Sequence, residues 1–243
     1  MPEPLNWDGF KEAASSMALD LDEEQISSFR HMLALLHEGN SAASLTSAVA
    51  LADAIRQHFV DALTLVPVIR SSRSEGVRLA DVGSGAGFPG LPLKIAWPEI
   101  SLTLIEATTK KAKYLEHVVA ELGIEVEVLG VRAELAGRDV GLRDSFDLVT
   151  ARAVGSLPLV CELTLPLCKV GGRLLAQRGE SAEADALGAS AAVSLLGARV
   201  IGVEAVDASF GLGNRHTVII QKIDSTPDRY PRREGIPAKR PLN

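Results

Sequence analysis

Leu79-Ala-Asp-Val-Gly-Ser-Gly-Ala-Gly-Phe-Pro-Gly90 is the stretch on which the fold turns. It begins as a short apolar strand over residues 77–82 and breaks on glycines at 83, 85, 87 and 90. Glycine has no Cβ, so it tolerates positive φ and lets a ligand lie against the backbone. The next residues, Leu91-Pro-Leu-Lys-Ile-Ala96, read as a helix opened by Pro89 or Gly90 and stopped by Pro98. A strand that turns on glycines into a helix is the nucleotide-binding corner of a doubly wound α/β sheet, open to ligand at the strand's carboxyl end.

Spacing narrows the ligand. Dinucleotide sites use G-x-G-x-x-G, with pyrophosphate on the helix N-terminus. Here the glycines run G-x-G-x-G, and Phe88 stands at the third dinucleotide position. Asp81, just before the first glycine, would repel a diphosphate but could hold an amine or order a water. These features favour a ligand without phosphates and with a cationic end, such as S-adenosylmethionine. Glu106, at the end of the next strand (101–106), lies 23 residues after Gly83, where the ribose-binding acid of such folds falls.

Elsewhere strands and helices alternate, as parallel βαβ units do. A helix over Thr109–Leu122 with Gly123 as its stop leads to a strand over 125–129. A fourth strand, Phe146–Ala151, leaves Arg152 just past its carboxyl end. A helix over 157–167, a Gly171-Gly172 turn, a strand over 173–177 and an alanine-rich helix over 180–196 follow. Two closing strands, 198–206 and 216–222, flank a glycine-rich loop and form an antiparallel end. The expected fold is α/β: a Rossmann-like, seven-stranded, mostly parallel sheet of the class I S-adenosylmethionine-dependent methyltransferase plan, with an N-terminal helical extension. The expected organisation is the extension at 1–73, the Rossmann-like domain at 74–223 and a basic Pro/Arg-rich arm at 224–243. In the extension, Asp22-Glu-Glu-Gln25 has the form of a capping box, with Ile26, Phe29, Leu33 and Leu36 at helical spacing until Gly39-Asn40. A second helix is expected from about Ala48 to Val66, with Arg56, His58 and Asp61 on its solvated side.

Composition sets outer bounds. A chain of 243 residues with 47% hydrophobic and 23% charged content can bury one substantial core. No signal peptide and no run of about 20 apolar residues is visible, so no membrane association is expected. Cys161 and Cys168, the two cysteines, fit buried thiols in a reducing cytoplasm. The net charge of −6 is unevenly spread: residues 1–73 carry five basic and ten acidic side chains, residues 222–243 six basic and three acidic. With four prolines, the 226–242 tail is expected not to form a helix. Its arginines and Tyr230 suit an extended arm that sets guanidinium groups on phosphates and stacks a ring on a base.

Arg56-Gln-His-Phe-Val-Asp61, the 81–93 loop, Lys110-Lys-Ala-Lys-Tyr-Leu115, Arg132-Ala-Glu134, Ala151-Arg-Ala153 and the T-P-x-x-Y-P-R-R-x-G-x-P tail together resemble the bacterial 16S ribosomal RNA guanine-N7 methyltransferases (the RsmG or GidB family). The resemblance implies methyl transfer from S-adenosylmethionine to guanine N7 in the 530 loop of small-subunit RNA. A cytoplasmic monomer is expected, with no metal, because a sulfonium donor and the free lone pair of N7 require neither a strong base nor a metal. The resemblance implies cofactor contacts at Gly83, Phe88, Ala133 and Glu134, to which the loop and the spacing add Ser84, Gly85 and Glu106, with Arg152 as the catalytic candidate at the cofactor–substrate boundary. The candidate contacts to ribosomal RNA are Arg56, His58, Arg215, Tyr230, Arg232 and Arg233. Two features depart from the family pattern: Asn40 is separated from Leu45-Thr46, and Gln177-Arg-Gly replaces a Lys-Gly. Competing readings are methylation of another RNA or a small molecule, a nicotinamide or flavin oxidoreductase, and a non-catalytic RNA-binding module.

Overall fold

The computed structural model describes residues 4–47, 51–70 and 76–242. Among the described residues seven strands form one sheet: β1 (Arg78–Val82), β2 (Ser101–Ile105), β3 (Val126–Leu129), β4 (Phe146–Arg152), β5 (Cys168–Arg178), β6 (Ala198–Ala205) and β7 (His216–Lys222). Their order is β3-β2-β1-β4-β5-β7-β6. β1 to β5 pair in parallel, and β7 runs antiparallel to both β5 and β6. The strand order reverses between β1 and β4, and the crevice beyond their carboxyl ends is where ligands bind in open α/β sheets.

Period-two alternation builds both faces. Leu79, Leu148, Leu175 and Ile219 point into the core shared with the N-terminal helices. Ala80, Val149, Leu174 and Ile220 point into the opposite core, which is covered by the helices Leu157–Thr164, Ala182–Gly188 and Ser190–Leu195. The expected single helix over 180–196 is therefore two, and β5 runs through the expected Gly171-Gly172 turn.

The extension holds more than expected. A helix not anticipated from the sequence, Trp7–Ser16, starts on Asn6, whose side chain accepts from the Gly9 amide at 2.8 Å. Its Phe10 packs edge-on against Phe29 at 4.9 Å, and Phe59 joins the cluster. The helix Glu23–Ala43 has its full capping box, and the Gln25 amide also donates to the Ile95 and Ala96 carbonyls, docking it on the 90–96 helix. It does not stop at Gly39. That glycine is interior, because a Cβ there would come within 2.5 Å of the Tyr114 ring. The helix expected over 48–66 begins outside the described residues. Within them it is a π-helical segment, Ile55–Val60, running into a short α-turn, Asp61–Leu63. Its polar side is buried as well: Arg56, His58 and Asp61 are all enclosed. A solvated face was the wrong expectation, because a polar stripe meant for solvent and one meant for a buried ion network have the same helical spacing.

Candidate active site

The carboxyl end of β1 opens on Gly83, Gly85 and Gly87, with φ of +72°, +59° and +94°. At Gly83 a Cβ would lie 2.8 Å from Val154, so any side chain would crowd that wall of the site. Beside it Glu106 accepts from the Gly85 amide at 3.0 Å through Oε2 and from the Thr108 amide at 2.7 Å through Oε1. Those bonds fix the carboxylate at the β2 end while leaving lone pairs to accept from hydroxyls. Gly83, Glu106, Ala133, Glu134, Val154 and Ala238 are among the walls of a cavity of about 210 Å³.

Two loop residues behave otherwise than the sequence led us to expect. Asp81 does not face a ligand. Fully buried, it accepts from the Gly90 amide at 3.1 Å and the Thr150 hydroxyl at 2.9 Å, bracing the loop from beneath. Burial pushes its pKa up to about 6. Ser84 is also turned inward, donating to the Asp81 carbonyl at 2.8 Å.

A second cavity, about 430 Å³, lies beyond the β4 end and is lined by Thr46, His58, Arg152, Gln177, Arg178 and Arg215 among others. Strand register explains part of this, since Arg152 pairs with Gln177 across β4 and β5. The hub is Asp61, which is fully buried. Its Oδ2 accepts from Arg152 at 2.7 Å, its Oδ1 lies 2.7 Å from Arg215 Nε, and Gln177 donates to its carbonyl at 2.7 Å. Arg152 also donates to the Gln57 carbonyl at 3.1 Å. Its guanidinium carbon sits 5.3 Å over the Phe88 ring, a cation–π contact. Phe88 in turn stacks on His58 at 4.6 Å. Ala153, at φ 58°, turns the chain so that Arg152 lines this cavity and Val154 the first.

The protonation of His58 follows from its neighbours. Arg152 Nη2 lies 3.0 Å from Nδ1 and is always a donor, so Nδ1 accepts. Nε2 then carries the proton and donates to the Thr46 hydroxyl at 2.8 Å. Burial, reinforced by the Arg152 charge, lowers the His58 pKa to about 3. Thr46 is itself set by Asn40, whose Oδ1 accepts from the Thr46 amide at 2.8 Å. The contact is thus made despite the separation of Asn40 from Leu45-Thr46.

His58 therefore binds a proton in the unfolded chain near pH 6.5 but stays neutral when folded until about 3. Its contribution to stability is full above the unfolded value and is lost as pH falls through that window. Urea titrations should show the advantage of the wild-type chain over His58→Gln shrinking by about 2 kcal/mol between pH 7 and pH 5. A difference that does not change with pH would contradict this placement.

Comparison with known proteins decides among the readings. The model of the family described as "GidB: rRNA small subunit methyltransferase G" matches residues 25–218. A protein named ribosomal RNA small subunit methyltransferase G from Roseiflexus castenholzii is 45% identical over 94% of this chain and 97% of its own length. One of the same name from Chloroflexus aggregans is 42% identical over 95% and 96%. The chain belongs to the rRNA small subunit methyltransferase G family. Fold neighbours agree at the level of architecture. A SAM-dependent methyltransferase from Aquifex aeolicus superposes with a TM-score of 0.55 at 19% identity, covering 76% of this chain and 98% of that one.

In this family member the candidates divide. Gly83, Glu106, Ala133 and Glu134 surround one cavity, and His58, Arg152 and Arg215 line the other. Phe88 and Ser84 are buried. Phe88 supports the arginine and the histidine from below. Arg56 does not present itself to a polynucleotide. It is buried beside the N-terminal helix, with a guanidinium nitrogen 3.1 Å from Asp53. The tail is not an extended arm: it folds back on the body and forms a short helix, Ile236–Lys239. Tyr230 is 7% exposed and its ring belongs to the core, so it offers no free face for stacking. Arg232 is held by Glu162, and of the three tail candidates only Arg233 is exposed. Sequence reasoning did not single out Asp61, Thr46, Gln177 and Arg178 as site residues. Asp61 had a signal, standing three residues after His58 in the quoted motif, and Gln177 and Arg178 stood at the end of a strand.

Among the described residues no group of three His, Cys, Asp or Glu side chains could hold a metal ion, and no helix is long and apolar enough to cross a membrane. Both cysteines are buried and free, their thiols pushed up to about 12 by burial.

Proposed function

We propose that this chain transfers a methyl group from S-adenosylmethionine to N7 of a guanine in the 530 loop of 16S ribosomal RNA. The observation that carries this reading is the pair of cavities at the carboxyl ends of the strands. One is acid-bearing and glycine-lipped, the other arginine-lined, and the Arg152–Val154 turn lies between them.

The first cavity suits an adenosyl group. Glu106 can accept from ribose hydroxyls, Val131, Leu159 and Leu163 offer apolar walls to a base, and Gly83 lets the ligand approach the backbone. S-adenosylmethionine, when bound, supplies a methyl carbon already activated by a sulfonium, with a neutral thioether as leaving group. Guanine N7 carries a free lone pair, so no side chain has to remove a proton from it. The chain's contribution is then alignment and exclusion of water, and alignment alone is worth on the order of 7–11 kcal/mol.

Charge in the second cavity is arranged accordingly. The base turns cationic as N7 accepts the methyl group. Asp61 offsets the Arg152 and Arg215 charges, and His58, held neutral, adds none. The remaining N–H groups of the two arginines can meet RNA phosphates, which makes substrate binding weaken with salt. The target guanine reaches this cavity by unstacking or from an already open loop.

The test is methyl incorporation into hypomethylated small subunits, with mass spectrometry of the modified nucleotide. The expected product is 7-methylguanosine confined to the 530 loop. A methyl group on another atom or another loop, or no incorporation, would overturn the reading.

A further inference from the structure

The tail's prolines and arginines suit an RNA-binding arm, yet its polar contacts run to the protein body. Arg143 donates to the Thr226 and Tyr230 carbonyls at 2.6 and 2.9 Å. Lys222, fully buried, donates to the Thr226 hydroxyl at 2.7 Å, which passes the bond on to the Leu196 carbonyl. Arg232 then grips Glu162 with both ends of its guanidinium, at 2.8 and 2.6 Å, while its own amide donates to the same carboxylate at 2.9 Å. Glu162 is fully buried and sits between Leu159 and Leu163, two walls of the first cavity. Three residues on, the Gly235 amide donates to Glu134 at 2.9 Å, and Ala238 completes the cavity wall. Burial raises the Glu134 pKa, but the Gly235 amide and Arg132 outweigh it and hold the carboxyl below its usual range.

We propose that the C-terminal segment is a wall of the cofactor site, and that Arg232, clamped on Glu162, is a positioning residue that sets the 235–238 turn against the adenosyl group. Arg232 thereby serves cofactor retention rather than RNA contact. This rests on the adenosyl assignment of the first cavity. A bidentate guanidinium–carboxylate pair is directional enough for the task, and the enclosed carboxylate leaves Arg232 one orientation.

The test is calorimetry with S-adenosylhomocysteine on the full chain and three variants: Arg232→Gln, Ala238→Trp and Lys239→Gln. Ala238 and Lys239 are exposed, so those two exchanges leave the core intact. Arg232→Gln and Ala238→Trp should each weaken binding about tenfold or more, a loss of about 1.4 kcal/mol. Lys239→Gln, which removes a charge from the same segment, should change it less than about twofold. In turnover assays the Arg232 variant should raise KM for S-adenosylmethionine and leave KM for the ribosomal subunit unchanged, a split that general loss of stability does not give. If Arg232→Gln proves unfolded, Ala238→Trp decides alone. Wild-type affinity in Ala238→Trp, an equal loss in Lys239→Gln, or a rise confined to KM for the subunit would overturn the proposal. Absence of binding by the wild-type chain would instead overturn the adenosyl assignment beneath it.

Discussion

Asp61→Ala should cost about 3–5 kcal/mol of stability and lower turnover by about a hundredfold or more, because it strands two cations that share one buried carboxylate. Asp61 is fully enclosed, with Arg152 and Arg215 each 2.7 Å from its oxygens. Without it, the guanidinium groups repel each other across the second cavity, and Arg152 loses the contact that holds it over Phe88. Arg152→Ala should cost less stability, since Asp61 keeps Arg215, but it leaves His58 Nδ1 without its donor. Urea denaturation and methyl incorporation on both variants check the ordering. An Asp61→Ala protein as stable and as active as wild type would show that the hub carries neither role.

Glu106→Ala should raise KM for S-adenosylmethionine by about ten- to a hundredfold, the cost of removing a charged hydrogen-bond acceptor worth about 1.5–3 kcal/mol. The effect has two sources. On the proposed reading the ribose loses its acceptor, and the Gly85 and Thr108 amides lose the carboxylate that pins the glycine loop. Glu106→Gln should fall between, because its amide end presents a donor to one of those N–H groups. Steady-state kinetics at saturating ribosomal subunit measure this, and an unchanged KM in Glu106→Ala would remove the residue from the cofactor site.

The parts of the fold that were legible in the sequence are those written in local pattern. The glycine loop, the 109–122 helix with its Gly123 stop, the capping box at Asp22 and the antiparallel ending all depend on neighbours within a few residues. What escaped depends on tertiary contact. Gly39 looked like a helix stop because its reason for being glycine, the Tyr114 ring, lies 75 residues away in sequence. The tail's arginines looked like RNA ligands because their charge is visible in the sequence and the Glu162 that claims Arg232 is 70 residues off. Asp81 stood beside the glycines, so it read as a ligand-facing acid. Only the register of β1 against β4, which sets Thr150 opposite it, shows that it points inward. In the site itself, Glu106 was legible from spacing alone, Arg152 from its strand and its motif. The network uniting Arg152 with Asp61 and His58 was not, since both lay on a helix side that spacing assigned to solvent.

On the proposed reading the bend after Val82 cups an adenosyl group bearing a sulfur cation. Calorimetric titration of the purified chain should then give saturable binding of S-adenosylmethionine and of S-adenosylhomocysteine at about one site per chain, with no heat from NAD. Silence with both adenosyl compounds, together with tight binding of NAD, would contradict it.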